Sequence, residues 1–285
     1  MLRETQPDVV DIVSPPDTHL EMITLALEAG ARAIICQKPF CGSLDNAERA
    51  TALAEGAGTP LIVHENFRFQ PWYRRIRSEM GSGRLGDILQ VTFRLRPGDG
   101  QGPSAYLDRQ PYFQAMPRFL LHETGVHWID TFRFLLGDPV SVYADLRRLN
   151  PAIAGEDAGY FIFSFADGSR ALFDGNRLLD HPAENHRLTM GECAVEGTEG
   201  EIRLLGDGSL SLRGKGETTW QPLAEPPRAD SFGGDCVAAL QRHVVAALLQ
   251  GEPLENQAGS YLQNMRLELA LYESAESGRR IELHP

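Results

Sequence analysis

Three side chains in this sequence have the types and spacing to move a proton. Lys38 lies in Gln37-Lys38-Pro39, directly after the apolar run Ala33-Ile34-Ile35-Cys36. Glu123 and His127 are four apart in the segment LLHETGVHWIDTFRFLLG, so a helix there puts both on one face within hydrogen-bonding reach. A carboxylate held that way orients an imidazole and stabilises its charged form. Each residue also has a plainer reading. A lysine before a proline is commonly a solvated turn residue, and a histidine beside Trp128 can be a satisfied core group. Glu123 can be a helix-start carboxylate favoured by the dipole.

Other constellations give less. His122-Glu123 suggests a zinc protease, but that motif needs histidines four apart. His122 and His127 are five apart, about 140° around a helix of ~3.6 residues per turn. Nothing else has metal-ligand spacing, so no metal is expected. Arg68, Arg74, Arg75 and Arg77, interleaved with Phe67, Phe69, Trp72 and Tyr73, mimic a nucleic-acid patch. In a chain of net charge −12 they read better as a solvated helix face with one pocket arginine. Cys36 reads as a small buried hydrophobe. Gly155-Glu156-Asp157 is either a set of polar contacts to a substrate or an ordinary turn before a strand, and Asn176-Arg177 at a strand end is equally open.

The elements that must position these residues follow from periodicity. PDVVDIV (7–13), ARAIIC (31–36) and PLIVHEN (60–66) are apolar, β-branched runs of strands buried on both faces. Between them lie two helical patterns, the first capped by Asp17 or Thr18 and ended by Gly30, the second capped by Ser43. Strand, helix, strand, helix, strand with short connections predicts a parallel sheet. After about residue 70 the pattern changes. A helix (PWYRRIRSEMGSG) leads into alternating strands, several joined by Gly-containing hairpin turns such as Asp167-Gly168 and Gly206-Asp207-Gly208. A helix over LLHETGVHWIDTFRFLLG interrupts them, and two helices, about 233–250 and 257–277, close the chain.

Composition sets the outer limits. The 285 residues, 42% hydrophobic and 23% charged, suit a globular protein of one large or two ordinary domains. The acidic balance repels phosphate, so neither nucleic acid nor an anionic membrane is an expected partner. No apolar run approaches the ~18 residues of a membrane span, and MLRETQPDVV has no signal-peptide core. Four scattered cysteines without a CxxC pair fit a reducing cytoplasm.

The parallel half is small. Three strands are half of a doubly wound nucleotide fold, and no strand–GxGxxG–helix cradle occurs in the sequence. Gly98-Asp99-Gly100-Gln101-Gly102 comes nearest, but it runs into Pro103 with no helix after it. The first strand is then expected to leave Val9, Val10, Ile12 and Val13 along a bare apolar edge open to another chain or to aggregation.

DIVSPPDTHLEMITLALEAGARAIICQKPF resembles the segment leading to the Glu-Lys-Pro motif of the glucose-fructose oxidoreductase / inositol dehydrogenase / MocA (Gfo/Idh/MocA) family. ENFRFQPWYRRIR, LHETGVHWIDTFRFLLG and YLQNMRLELALYESAESGRRIEL resemble the same family, in order along the whole chain. The resemblance implies an α/β fold: a truncated Rossmann-type parallel sheet over 1–68, then an α+β domain over 69–285 with a large, mostly antiparallel open sheet. The helix at 257–277 is expected to pack back on the first domain.

It further implies an NAD(P)-dependent oxidoreductase that transfers hydride at a CH–OH carbon of a sugar, inositol or related polyol. The alternative is a non-catalytic sugar-binding or assembly remnant, since the phosphate-binding loop is lacking. Lys38 matches the motif lysine, His127 the catalytic histidine, and Glu123 stands where an aspartate is usual. Ser14, Pro15, Pro16 and His19 match the loop bordering NAD or NADP, and Gln37, Lys38 and Asn66 join them as cofactor contacts. Lys38, Arg68, Glu123 and His127, with Asp157 and Asn176, are the expected substrate contacts. Two positions depart from the pattern. Gln37 replaces the motif glutamate and removes a negative charge beside Lys38, and Glu123 is a methylene longer than aspartate. A homo-oligomer, dimer or tetramer, is implied through the C-terminal sheet.

Overall fold

The computed structural model describes residues 2–224 and 232–283. The chain divides into two compact units, Met1–Asn66 with Ala238–Leu267 and Phe67–Val237 with Glu268–Pro285. The boundary falls at Asn66/Phe67, and the closing helices change unit along their length, where the sequence suggested a single break after residue 68.

The first unit begins with a short helix, α1 (Leu2–Thr5), and continues through β1 (Val9–Ile12), α2 (His19–Glu28), β2 (Ala33–Cys36), α3 (Leu44–Ala57) and β3 (Leu61–Val63). The three strands form a parallel sheet in the order β1-β2-β3, as the alternation of strand and helix patterns predicts. β2 and β3 are buried at every position. Ser43 accepts a hydrogen bond from the Asn46 N–H, which caps α3, and Gly58 closes that helix at φ 66°. The expected cap on α2 does not form. A 3-10 turn over Pro16–Thr18 precedes it, and the Thr18 hydroxyl donates to the Pro15 carbonyl at 2.7 Å.

β1 is an edge strand, and among the described residues no strand pairs with its outer side. That edge is less bare than its sequence suggests: Ile12 is buried, Val9 and Val10 are half-buried, and Val13 is 73% exposed. Asp11 carries a charge there and accepts from Gln241 Nε2 at 3.4 Å.

The second unit contains α4 (Pro71–Gly81), β4 (Ile88–Leu95), α5 (Val126–Leu136), β5 (Ser141–Arg147), β6 (Ala158–Ser164) and β7 (Arg170–Asn176). It continues with β8 (Gly191–Gly197), β9 (Gly200–Leu204), β10 (Leu210–Gly214) and β11 (Gln221–Ala224). Two long helices follow, α6 (Cys236–Gln250) and α7 (Ala258–Ser277), then β12 (Ile281–Glu282). Nine strands make one sheet, ordered β11-β10-β9-β8-β4-β7-β6-β5-β12. Only β4 and β7 run parallel; the other pairs are antiparallel. The first part of α7 returns to the first unit, where Ala258, Tyr261, Leu262 and Met265 join the core formed by Ile23, Ile34, Phe40 and Val63.

Alternation along the strands decides which face is dry. Val91, Phe93 and Leu95 of β4, Phe161 and Phe163 of β6 and Phe173 of β7 are all fully or nearly fully buried. Trp128 of α5 lies on this face, stacked on Phe93 at 4.1 Å and tilted against Phe173 at 5.5 Å. Phe132, one turn on, meets Phe161 and Phe163 edge-on. Trp128 Nε1 donates to the Tyr73 hydroxyl at 3.1 Å, which ties α5 to α4 and satisfies an otherwise costly buried N–H. This aromatic contact fixes α5, and with it His127. Phe93→Ala should therefore destabilise the protein by about 3–5 kcal/mol, measured by urea unfolding.

Candidate active site

In the first unit the expected cofactor residues all follow the carboxyl ends of parallel strands: Ser14, Pro15, Pro16 and His19 after β1, Gln37 and Lys38 after β2, Asn66 after β3. Such ends are where doubly wound sheets receive a nucleotide. Ser14 Oγ is hydrogen-bonded to Thr18 Oγ1 at 2.7 Å. Lys38 is half-buried, the Lys38–Pro39 peptide is cis, and Asn66 is buried. The Glu65 carbonyl just before Asn66 accepts from Asn256 Nδ2, and the Asn256 carbonyl accepts from the Val63 N–H at 2.9 Å. Sequence reading missed Asn256, because its partners lie almost two hundred residues away.

His19 plays a different part from the expected one. Its ring is fully buried. Nδ1 accepts from the Cys41 N–H at 3.3 Å, which leaves Nε2 as the protonated nitrogen that donates to the Ser14 carbonyl at 2.9 Å. Both nitrogens are thus occupied in joining the loop after β1 to the loop after β2, and neither remains for a cofactor. Burial lowers the His19 pKa, against the raising pull of the Ser14 carbonyl and Asp17. Cys36 and Cys41, flanking the lysine, are buried, and burial pushes the Cys41 thiol up to about 12. Neither is poised as a nucleophile.

In the second unit the segment carrying Glu123 and His127 is not one continuous α-helix. Leu120–Gly125 forms a π turn, with the Val126 N–H reaching the Leu121 carbonyl, and α5 begins only afterwards. Glu156 satisfies the first two N–H groups of this turn, which have no acceptor within the helix. Its carbonyl accepts from the Leu120 N–H at 2.8 Å and its carboxylate from the Leu121 N–H at 3.2 Å. The Tyr272 hydroxyl donates to the same carboxylate oxygen at 2.7 Å. π turns inside helices occur frequently at functional sites.

His127 is 8% exposed. The Phe67 ring stacks on it, centroids 3.8 Å apart and planes within 5°, and its carbonyl accepts from Thr131 Oγ1. Glu123 is half-buried one residue before Thr124.

Three expected substrate contacts have protein partners of their own. Arg68 is engaged in a two-pronged pair with fully buried Asp130, Nε to Oδ2 at 2.8 Å and Nη2 to Oδ1 at 2.7 Å, which anchors the 3-10 turn Phe67–Phe69 to α5. Asp157 is fully buried, and its two oxygens accept from the N–H groups of Leu149 and Asn150 at 2.6 and 2.8 Å. It holds a loop. Asn176 Oδ1 accepts from the Leu178 N–H at 3.0 Å, a local turn. His122, of the rejected zinc reading, is paired with Glu268 at 2.6 Å.

Residues 73–203 match the GFO/IDH/MocA C-terminal domain, and residues 1–65 match the NAD-binding Rossmann fold of an oxidoreductase family. The chain is 34% identical to the D-apiose dehydrogenase of Paraburkholderia graminis, over 99% of this chain and 75% of that protein. It is 26% identical to the inositol 2-dehydrogenase of Rhizobium meliloti, over 97% and 81%. Among solved structures, an oxidoreductase from Agrobacterium radiobacter in complex with NAD+, L-tartaric acid and magnesium superposes with a TM-score of 0.85 at 28% identity, covering 99% of this chain and 82% of that one. Fold and comparisons together define an oxidoreductase with a Rossmann-type nucleotide unit. The chain belongs to the GFO/IDH/MocA family.

For the nicotinamide end of NAD, the buried amide of Asn66 and the half-buried Gln37 and Lys38 at one sheet edge are fitting donors.

The His19 arrangement has a pH signature. A histidine held neutral stabilises fully above its ordinary value of about 6.5, and that contribution is lost as pH falls toward its lowered native value. His19→Gln keeps a donor and an acceptor but does not titrate. Its stability deficit relative to wild type should shrink between about pH 7.5 and about pH 5, read by thermal unfolding at each pH.

Proposed function

We propose that this protein is an NAD(P)-dependent oxidoreductase that oxidises a CH–OH carbon of a sugar, inositol or related polyol, or reduces the corresponding carbonyl. The observation that carries this reading is the match to D-apiose dehydrogenase along 99% of the chain at 34% identity. It favours an enzyme over a sugar-binding remnant. The relatives acting on apiose and inositol, and the related structure crystallised with NAD+ and L-tartaric acid, support a polyhydroxylated substrate.

The chemistry divides between cofactor and protein. NAD or NADP, when bound, would supply the hydride acceptor for the carbinol carbon. Lys38 and His127 handle the hydroxyl proton: it passes to the imidazole, while the lysine charge offsets the alkoxide that develops. Glu123 orients the imidazole, while the Phe67 ring stacked on it restricts its rotation and keeps bulk water off that face. Ser14, Pro15, Pro16, Gln37 and Asn66 border the cofactor, and His19 supports it indirectly by tying two of those loops together. Lys38→Ala and His127→Ala should each lower turnover of D-apiose or myo-inositol with NAD+ by about 10²-fold or more while circular dichroism stays unchanged. A double variant that still turns over would overturn the assignment.

Assembly follows from the second face of the large sheet. Tyr143, Ile162, Leu172, Thr92 and Ala194 stand in register across β5, β6, β7, β4 and β8, all half-buried. That row is the seat we assign to a second copy, giving a dimer or tetramer through the sheet. Four buried free cysteines suit a reducing compartment such as the cytoplasm. Ile162→Lys with Leu172→Lys should shift the mass in light scattering to that of a monomer; an unchanged mass above the monomer would place the interface elsewhere.

A further inference from the structure

Arg177 directly follows β7, and its side chain is only 2% exposed. Its donors reach three separate segments. Nε donates to Asp99 Oδ1 at 3.2 Å and to the Tyr106 hydroxyl at 2.8 Å, Nη2 to Asp99 Oδ2 at 2.8 Å, and Nη1 to Thr124 Oγ1 at 2.6 Å. The rings of Tyr106, Phe113 and Phe119 surround the guanidinium at 5.1, 5.7 and 4.7 Å. Burial opposes its charge, but Asp99 and Tyr106 outweigh burial and hold the proton more firmly than usual.

These contacts bracket the whole connection between β4 and the π turn. Asp99 lies at its start, Tyr106 in the middle and Thr124 inside the turn itself. The glycine run at 98–102, which fails as a phosphate cradle, has its use here. The Gly100 N–H donates to the Arg177 carbonyl at 2.9 Å, and a Cβ on Gly100 would lie 3.0 Å from the Arg177 Cβ and 2.9 Å from the Tyr106 oxygen. Tyr106 is held at φ 70°, a conformation a bulky residue keeps only where its surroundings force it.

We propose that Arg177, acting through the Thr124 hydroxyl, is a positioning residue that fixes the rotation of the π turn and so the direction of Glu123 and His127. Thr124 is next to Glu123 and three residues before His127, so a turn of the segment about its axis moves both. Glu156 holds the first N–H groups of the turn, and Arg177 supplies a second, side-on anchor that stops it from rolling. A lysine in this place could not repeat the arrangement, because an ammonium lacks the planar fork that reaches Asp99, Tyr106 and Thr124 together. The inference rests on the proposed reading in which His127 handles the proton and Glu123 orients it.

The test compares Thr124→Val, which removes the acceptor at nearly constant volume, with Thr124→Ser, which keeps it. With NAD+ and D-apiose, Thr124→Val should lower kcat about tenfold or more with both KM values within about twofold, and Thr124→Ser should restore it, since displacements of about 1 Å in a catalytic group carry losses up to about 10²-fold. A second readout needs no turnover. The His127 ring protons, shifted upfield by Phe67 and identified by their loss in His127→Gln, should move in Thr124→Val and return in Thr124→Ser. If Thr124→Val does not fold, Asp99→Asn at the outer side of the same guanidinium carries the same expectation. Wild-type kcat in the folded variant, or an unmoved His127 signal where no turnover is measurable, overturns the proposal. Full turnover by His127→Gln would instead overturn the catalytic reading and leave the anchoring measurement to stand on the ring-proton signal.

Discussion

A backbone N–H taken out of water needs an acceptor, and the two at the start of the His127 segment find theirs in one residue, Glu156. Much else follows from that. Leu120 and Leu121, held by a carbonyl and a carboxylate from outside the helix, begin the π turn that carries Glu123. Glu156 is in turn kept in place by Tyr272, whose hydroxyl burial and the neighbouring carboxylate hold protonated. A short polar turn before β6 thus sets the entry geometry of the helix that bears the imidazole. Downstream, Trp128 and Phe132 press that helix onto the sheet, and Arg68 with Asp130 locks the preceding turn to it. Each neighbour is modest alone. Together they leave the histidine little freedom, which suits a group whose distance to a reacting atom matters.

The first unit uses the same logic with smaller parts. Three short parallel strands end in loops, and loops need partners of their own. His19 joins two of them through a single imidazole, and Asn256 reaches back from the far end of the chain to hold the backbone after β3. The residues that match the family's cofactor loop therefore divide into those that line the sheet edge and those that brace it. His19 belongs to the second kind.

What could be read from the sequence was whatever depends on near neighbours. The strands at 9–12, 33–36 and 61–63, the Ser43 cap and the strand alternation that buries Phe93, Phe161 and Phe173 are all encoded within a few residues of where they act. What the sequence did not show has the opposite character. The pairing of Arg68 has no local signal, because Asp130 is 62 positions away. Nothing local shows either that the N–H groups of Leu149 and Asn150 converge on Asp157. The π turn was hidden because an i, i+4 spacing reads equally as α-helix, and the carboxylate that caps the turn comes from 35 residues on. β12, only two residues long, is too short to carry a period.

The outer strand of the small sheet has a colloidal consequence. Growth of one molecule's sheet onto another's requires a long, flat, uncharged ribbon, and β1 offers only four residues with a carboxylate in the third place. Intermolecular ladders started there would have to bury Asp11 or strip it from Gln241. That single acidic side chain therefore works against fibrous growth from this edge.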